Sequence, residues 1–190
     1  MAKTRPLEEF DDGAPAPTPS PPPRPEALPG IWQVAGPWVV HPLVRPETIR
    51  ALPFQIDLAR IALNDDLLVV LPTGLGKTVI AVLAAAELLR RGTGKVLVLA
   101  PTRPLVLQHA EAFRRWIPSL RTARFTGTVK RTIREGAWET ADAVFATPEL
   151  VDHDVEAGRY SLRDVALIVF DEAHHAVGNY AYVPVATRFR

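Results

Sequence analysis

Residues 69–82 read VVLPTGLGKTVIAV and contain most of the phosphate-binding pattern G-x-x-x-x-G-K-[ST]. The end of the pattern, GKT, is present, but Leu71 stands where its first glycine is expected. In such loops, backbone N–H groups and the positive end of the following helix hold phosphate oxygens. Lys77 is placed to reach the β and γ phosphates, and Thr78 to offer its hydroxyl to Mg²⁺. The segment therefore predicts a phosphate site, with a turn that binds no ligand as the alternative. The predicted contact residues are Thr73, Gly74, Leu75, Gly76, Lys77 and Thr78.

An acidic pair follows an apolar segment much later in the chain. The residues LIVF at 167–170 lead directly into Asp171 and Glu172. An acid at the tip of a buried strand can hold a metal ion, normally through its coordinated waters, and a neighbouring acid can accept a proton from an attacking water. An Asp-Glu pair is common by itself, but its position downstream of the glycine loop indicates a site for nucleotide hydrolysis. Lys77, Asp171 and Glu172 are thus predicted catalytic residues, and Thr78 and Asp171 predicted metal ligands.

Apolar strand patterns alternate with helical patterns around these motifs. The first and last of the apolar runs lack polar alternation, which is typical of parallel strands covered on both faces. Right-handed crossovers place every strand-to-helix loop at the carboxyl edge of such a sheet. We therefore predict a three-layer α/β fold with a mainly parallel central sheet. The predicted strands are 67–71, 95–100, 122–126, 143–147 and 166–170, and the predicted helices are 76–91, 103–116, 128–138 and 148–158.

Composition bounds the domain organisation. The 190 residues are 47% hydrophobic, enough for one domain with a core, predicted at 31–190. Residues 1–30 hold nine of the 19 prolines and few large apolar side chains, which predicts a disordered tail. The absence of cysteine excludes disulfides and Cys-ligated zinc. Neither a signal peptide nor a membrane span is evident, so we expect a cytoplasmic or nucleoid-associated protein without a membrane partner.

Positive charge is concentrated in one segment, although the formal net charge is only +1. Residues 101–138 contain eight Lys or Arg residues against two acids, Glu111 and Glu135. Such a segment predicts a surface that attracts a polyanion, with a solvated helix face as the alternative.

Four segments together resemble a known family. LPTGLGKT, APTRPLVLQH, ATPEL and DEAH match, in order and spacing, motifs I, Ia, Ib and II of the superfamily 2 helicases. Over about residues 41–185 the chain is most similar to the archaeal Hef and FANCM branch of that superfamily. The resemblance accounts for Leu71, since these helicases commonly lack the first glycine. It implies a P-loop NTPase domain of the RecA-like type that binds ATP and Mg²⁺, the first such domain of a DNA helicase or translocase.

The resemblance also assigns roles to single residues. Gln55 in LPFQ would read the adenine edge, although Leu52 stands where the family usually has arginine. The alternative for Gln55 is a solvated glutamine at the start of a helix. Phe54 beside it would be either a neighbour of the adenine or a core residue, and the core is expected. His174 of the DEAH motif would couple the nucleotide site to a second domain, the alternative being a buried core histidine, and His175 is expected to face solvent or that domain.

A nucleic-acid track is implied at one end of the sheet. Hydroxyls, amide groups at helix starts and an arginine can hold sugar-phosphate without reading bases. For each residue concerned, an ordinary helix cap is the alternative. The implied residues are Thr102, Arg103, Gln108, Thr126, Gly127, Thr147 and Pro148.

The resemblance further implies a partner outside these residues. In this family the arginine finger, worth about 10³ to 10⁵ in rate, comes from a second RecA-like domain, and the 16 residues after the DEAH motif, Arg188 and Arg190 included, offer no candidate. We therefore expect weak ATP binding and near-background hydrolysis from this chain alone. DNA is expected in preference to RNA. The alternatives are a duplex-RNA-stimulated ATPase and a nucleotide-binding interaction module without turnover; a P-loop kinase is disfavoured by the DEAH motif.

Overall fold

The structure is a computed structural model that describes residues 32–189. The predicted tail at 1–30 lies outside the described residues. Six helices and six strands alternate over most of the described chain. They are β1 (Gln33–Ala35), β2 (Trp38–Val40), α1 (Pro53–Ile61), α2 (Lys77–Arg91), β3 (Lys95–Leu99), α3 (Arg103–Trp116), β4 (Thr122–Phe125), α4 (Arg131–Thr140), β5 (Ala143–Ala146), α5 (Pro148–Glu156), β6 (Val165–Phe170) and α6 (Tyr182–Phe189).

Strands β3 to β6 form one parallel sheet in the order β4-β5-β3-β6. Their last residues are in register, because Leu99 pairs with both Ala146 and Phe170, and Phe125 also pairs with Ala146. The loops that follow these strands therefore leave the sheet at one edge. This arrangement confirms the predicted parallel sheet and its common carboxyl edge.

The sheet is covered by helices on both faces. Val96 and Val98 of β3 belong to one core cluster with α1, α2 and α3. The alternating residues Leu97 and Leu99 belong to a second cluster with α4, α5 and α6. Because successive side chains of a strand point to opposite faces, the two clusters are the two interfaces of a three-layer α/β fold, as predicted.

A short hairpin supports the segment that leads into α1. Strands β1 and β2 pair antiparallel. The Val39 N–H donates to the Ile49 carbonyl at 2.9 Å, and the Ala51 N–H donates to the Pro37 carbonyl at 2.8 Å. These bonds hold residues 49–51 in place before the first turn of α1.

The predicted strand at 67–71 is not formed. Its residues alternate between partly buried and exposed, as in a strand, and Leu68 and Val70 are 74% and 84% exposed. However, no described strand forms a ladder with them. A cavity of about 1080 Å³ is lined by both this segment and β6, so the two backbones do not pair there.

For the same reason, β6 is less buried than predicted. It pairs with β3 on one side only among the described strands, and residues 166–170 are all partly exposed. Helix α4 also differs from the prediction: it begins at Arg131 rather than 128, because the Val129 N–H closes a turn onto the Thr126 carbonyl. None of the described helices is long and apolar enough to cross a membrane.

Candidate functional site

The predicted phosphate loop lies between residues 67–71 and α2. Gly74 and Gly76 have φ angles of +85° and +75°, a left-handed conformation that side chains disfavour. A Cβ atom on Gly76 would lie 2.4 Å from Nε2 of Gln55. Gly76 is also the N-cap residue of α2, so the start of this helix has no capping hydrogen bond from an N-cap side chain. Glycine is therefore required at this position both for the turn and for the close approach of Gln55.

The lysine of the loop is bound to the loop itself. The Lys77 ammonium donates to the Leu71 carbonyl at 2.8 Å, and the side chain is exposed. Lys77 and Thr78 border the large cavity next to β6, as do Asp171 and Glu172. The structure thus brings the two predicted catalytic motifs to one cavity at the carboxyl edge of the sheet.

Asp171 is held by its backbone and by its carboxylate. Its N–H donates to the Leu99 carbonyl at 2.9 Å, and its own carbonyl accepts from the Tyr182 hydroxyl at 2.6 Å. Its Oδ2 atom lies 2.7 Å from Nε2 of His109. This hydrogen bond is the main cause that lowers the pKa of Asp171, and the charge of Lys77 adds to it, whereas burial opposes it. The carboxylate is therefore ionised at neutral pH and available to a cation.

Glu172 and His174 of the DEAH motif are exposed and border the same cavity. Glu172 adopts a positive φ of 51° and lies beside His174, with Oε2 and Nδ1 3.3 Å apart. The His174 side chain is 69% exposed, which rules out the buried core histidine considered from the sequence. His175 is exposed as expected and lies beside the ring of Tyr180.

Gln55 is buried at the start of α1 rather than solvated. Its Nε2 donates to the Leu75 carbonyl of the phosphate loop at 3.0 Å. A second cavity, of about 260 Å³, is lined by Gln55, Leu75 and Gly76 among others. Phe54 is 38% exposed, so its predicted core position is wrong: it lies on the outer side of the first turn of α1. Sequence reasoning also missed Arg50, which lines this cavity two residues before Leu52.

The predicted nucleic-acid residues follow the ends of three strands. Thr126 and Gly127 follow β4, Thr147 and Pro148 follow β5, and Thr102 follows β3. Together with Asp171 after β6, they make a row along the carboxyl edge in the order of the strands. The buried side chains of Thr126 and Pro148 shape these loops, and the Thr126 hydroxyl lies 3.1 Å from that of Thr128.

The side chains of the two threonines at helix starts are not used to cap their helices. Thr102 and Thr147 are the N-cap residues of α3 and α5, and neither side chain makes a capping hydrogen bond. Arg103 and Gln108 are exposed on α3. These side chains therefore remain able to contact a ligand.

A buried ion cluster stabilises the loops at the β4–β5 end, and sequence reasoning missed it. Asp154 on α5 accepts two hydrogen bonds of 2.7 Å from Arg134 on α4, and it also contacts Arg159. Burial opposes the charge of Asp154, but the arginine hydrogen bonds outweigh it and lower the pKa. Arg134 also donates to the Val129 carbonyl in the loop after β4. Helix α5 and that loop are thus fixed to each other.

The basic segment does not form one patch. Arg134 is buried in the ion cluster. Helix α3 runs back from the carboxyl edge, so Arg114 and Arg115 in its last turn lie at the opposite edge. Arg103 and Lys130, both exposed, follow β3 and β4 at the carboxyl edge. Only part of the charge can therefore act on a ligand along the row of loops.

Comparisons with known proteins agree with this arrangement. A sequence model of the DEAD/DEAH box helicase family matches residues 52–187. A Methanocaldococcus jannaschii protein, provisionally named an ATP-dependent RNA helicase, is 39% identical over 155 residues, which cover 80% of this chain and 20% of that protein. The DEAD-box ATP-dependent DNA helicase Fancm of Drosophila melanogaster is 39% identical over 153 residues, which cover 77% of this chain and 10% of that protein.

A solved structure is similar as well. The crystal structure of the Pyrococcus furiosus Hef helicase domain has a TM-score of 0.73 and 47% sequence identity, over 77% of this chain and 31% of that chain. The chain thus spans a fifth or less of the two relatives and about a third of this helicase domain. By the match over residues 52–187, the chain belongs to the DEAD/DEAH box helicase family.

Proposed function

We propose that the chain is the first RecA-like, ATP-binding domain of an ATP-dependent DNA helicase or translocase. The observation that carries the proposal is the meeting of Lys77, Thr78, Asp171 and Glu172 around one cavity at the carboxyl edge of the sheet. Ligands of parallel α/β folds bind at this edge. The name of the Drosophila melanogaster relative, an ATP-dependent DNA helicase, supports a helicase that acts on DNA.

The residues present fit a magnesium ion that is shared with a nucleotide. The Asp171 carboxylate and the Thr78 hydroxyl are hard oxygen donors, which Mg²⁺ prefers. Within residues 32–189, no cluster of three or more His, Cys, Asp or Glu residues could hold a metal alone. A cation at this site would depend on phosphate oxygens and water for its other ligands, as is usual for Mg²⁺ in nucleotide sites. When bound, it would neutralise charge on the phosphates.

Four side chains of this protein would have separate roles at the site. Lys77 must exchange the Leu71 carbonyl, 2.8 Å away, for phosphate oxygens. Glu172, which is exposed next to the cavity, would accept a proton from the attacking water. Gln55 joins the smaller cavity to the phosphate loop and would bind the adenine edge there. His174 is exposed and would contact a second RecA-like domain.

Polynucleotide would bind along the row of loops that follow β3, β4 and β5. The side chains exposed there include Thr102, Arg103 and Gln108, which suit phosphate and sugar rather than base edges. Such contacts do not distinguish DNA from RNA strongly. An RNA-stimulated ATPase is the second candidate, and the name of the Methanocaldococcus jannaschii relative favours it.

Steady-state ATP turnover with different polynucleotides tests the proposal. The chain would be assayed alone and joined to the second RecA-like domain of a relative, each with single-stranded, duplex and branched DNA and with duplex RNA. We expect near-background turnover from the chain alone and DNA-stimulated turnover from the joined protein, lost in Glu172→Gln. Stimulation by RNA but not DNA would favour the second candidate, and turnover by neither in a folded joined protein would overturn the proposal.

A further inference from the structure

His109 connects helix α3 to the carboxylate expected to hold the metal ion. Its Nε2 lies 2.7 Å from Oδ2 of Asp171, and the two side chains are only 12% and 23% exposed. Among the described side chains, His109 is the one that hydrogen-bonds this carboxylate. The contact occupies Oδ2 and leaves Oδ1 for another ligand. His109 also borders the cavity that contains Lys77 and Glu172.

The same helix carries the candidate polynucleotide residues. Thr102 is the N-cap of α3, Arg103 is its first residue, and Gln108 directly precedes His109. His109 lies six positions after Arg103, which corresponds to about 9 Å along the helix axis. Helix α3 is anchored against the sheet by Val106 and Phe113, which are fully buried. A displacement of its first turns therefore moves His109 as part of one packed unit.

We propose that His109 is a positioning residue that orients Asp171 for Mg²⁺ and thereby couples polynucleotide binding on α3 to metal-nucleotide binding. The proposal rests on the proposed function, since it needs both ligands. A shift of α3 by about 1 Å is enough to take a 2.7 Å hydrogen bond beyond the usual range. Polynucleotide on the N-terminal turn restrains α3 in the position in which His109 holds Asp171. By linkage, each ligand then tightens the other by the same factor.

The contact is not replaced by a neighbouring group. Lys77 acts on Asp171 through its charge, but its ammonium hydrogen-bonds Leu71 and Pro72 instead. Tyr182 donates to the backbone carbonyl of Asp171 and not to its carboxylate. The Glu172 backbone N–H also acts on this carboxylate, but no other described side chain hydrogen-bonds it. Loss of the imidazole N–H therefore removes the side-chain contact that restrains Asp171.

Mn²⁺ binding followed by electron paramagnetic resonance tests the proposal without turnover. It would be measured on the full chain with a non-hydrolysable ATP analogue, with and without oligo(dT). In the wild type, oligo(dT) should tighten Mn²⁺ binding by about threefold or more, and His109→Leu, which keeps most of the side-chain volume, should reduce this factor to about one. His109→Gln, whose amide can donate from a similar position, should restore part of it. His153→Leu, an exposed histidine on α5, is the matched control and should keep the wild-type factor.

The outcomes separate this proposal from the proposed function. If His109→Leu binds Mn²⁺, analogue and oligo(dT) with the wild-type coupling factor, His109 only fills space and the proposal is overturned while the proposed function stands. If His109→Leu and His109→Gln are equally uncoupled, the hydrogen bond is not the cause, and the proposal also fails. If the wild type binds neither analogue nor oligo(dT), both proposals fail.

Discussion

The two ends of the parallel sheet are packed to different extents. At the β4–β5 end, all four residues of β5 are buried, and the Arg134–Asp154 pair fixes the loops that follow the strands. At the β6 end, the strand is partly exposed, and a cavity of about 1080 Å³ separates it from residues 67–71. The candidate polynucleotide loops after β4 and β5 thus lie on the closed end, and the phosphate loop lies on the open end, with the loop after β3 between them.

The difference between the two ends should affect nucleotide and polynucleotide affinity differently. The phosphate loop has positive φ at both its glycines, and its lysine is bound to a carbonyl of the same loop. A nucleotide bound at this loop would have to displace that contact, and such a cost is subtracted from the binding free energy. At the closed end the loops are already fixed before a ligand arrives. We therefore expect weak nucleotide binding combined with a preformed polynucleotide surface.

The largest expected effect is the loss of the ion cluster at the closed end. Asp154→Ala leaves Arg134 buried without its carboxylate, and breaking a buried pair in this way costs about 3–5 kcal/mol. Asp57→Ala, in an exposed pair with Arg60, is the control and should cost less than about 1 kcal/mol. Urea denaturation measures both. A loss below about 1 kcal/mol for Asp154→Ala would show that the cluster does not stabilise this end.

A pair of leucines compares the two ends directly. Leu97 in β3 is fully buried, so Leu97→Ala should lower the free energy of unfolding by about 2–5 kcal/mol. Leu68 in the open segment is exposed, so Leu68→Ala should change it by less than about 0.5 kcal/mol. The same denaturation experiment applies. Comparable losses in the two variants would mean that residues 67–71 are packed in solution and the contrast between the ends is wrong.

Acid titration tests how much Glu87 stabilises the fold, since this residue lies in α2, the helix that follows the phosphate loop. Hydrogen bonding to Arg90 is the main cause that lowers the pKa of Glu87, to about 2 from its usual value of 4.5, with Arg91 and His41 contributing and burial opposing. Because the folded pKa is the lower one, the stabilisation is present above about pH 4.5 and is lost as the pH falls toward 2. Thermal unfolding of the wild type and Glu87→Gln should thus converge over this window. A stability difference that stays constant down to pH 2 would contradict this account of Glu87.

The smallest expected effect concerns the divided basic segment. Arg103→Ala and Lys130→Ala at the carboxyl edge should each reduce the salt dependence of oligo(dT) binding by about one unit of slope. Arg114→Ala and Arg115→Ala, at the opposite edge, are the matched controls and should leave it unchanged. Fluorescence anisotropy at several salt concentrations measures the slope. Equal effects at both edges would show that polynucleotide does not follow the row of loops.

Local patterns predicted most of the fold and failed where distant parts of the chain meet. The four strands of the sheet and helix α3 lie close to their predicted bounds. Each of these elements is predicted from a pattern of apolar residues that lies within the element itself. The predicted strand at 67–71 failed because a strand needs a neighbour, which the pattern cannot supply. The contact of His109 with Asp171 joins residues 62 positions apart and leaves no sign in the sequence. The motifs thus named the candidate residues, but only the structure showed the contact of His109 with the Asp171 carboxylate.

Nucleotide binding by the wild type and Lys77→Ala tests the central claim most directly. A fluorescent ATP analogue would be titrated with Mg²⁺ into each protein, with circular dichroism to verify the fold. Lys95→Ala, at the amino edge of the sheet, is the matched lysine control and should keep the wild-type affinity. We predict that Lys77→Ala weakens binding at least about tenfold, or about 1.4 kcal/mol, because the phosphates lose the lysine of the loop. Undiminished affinity in a folded Lys77→Ala protein would contradict the assignment of this loop as the nucleotide site.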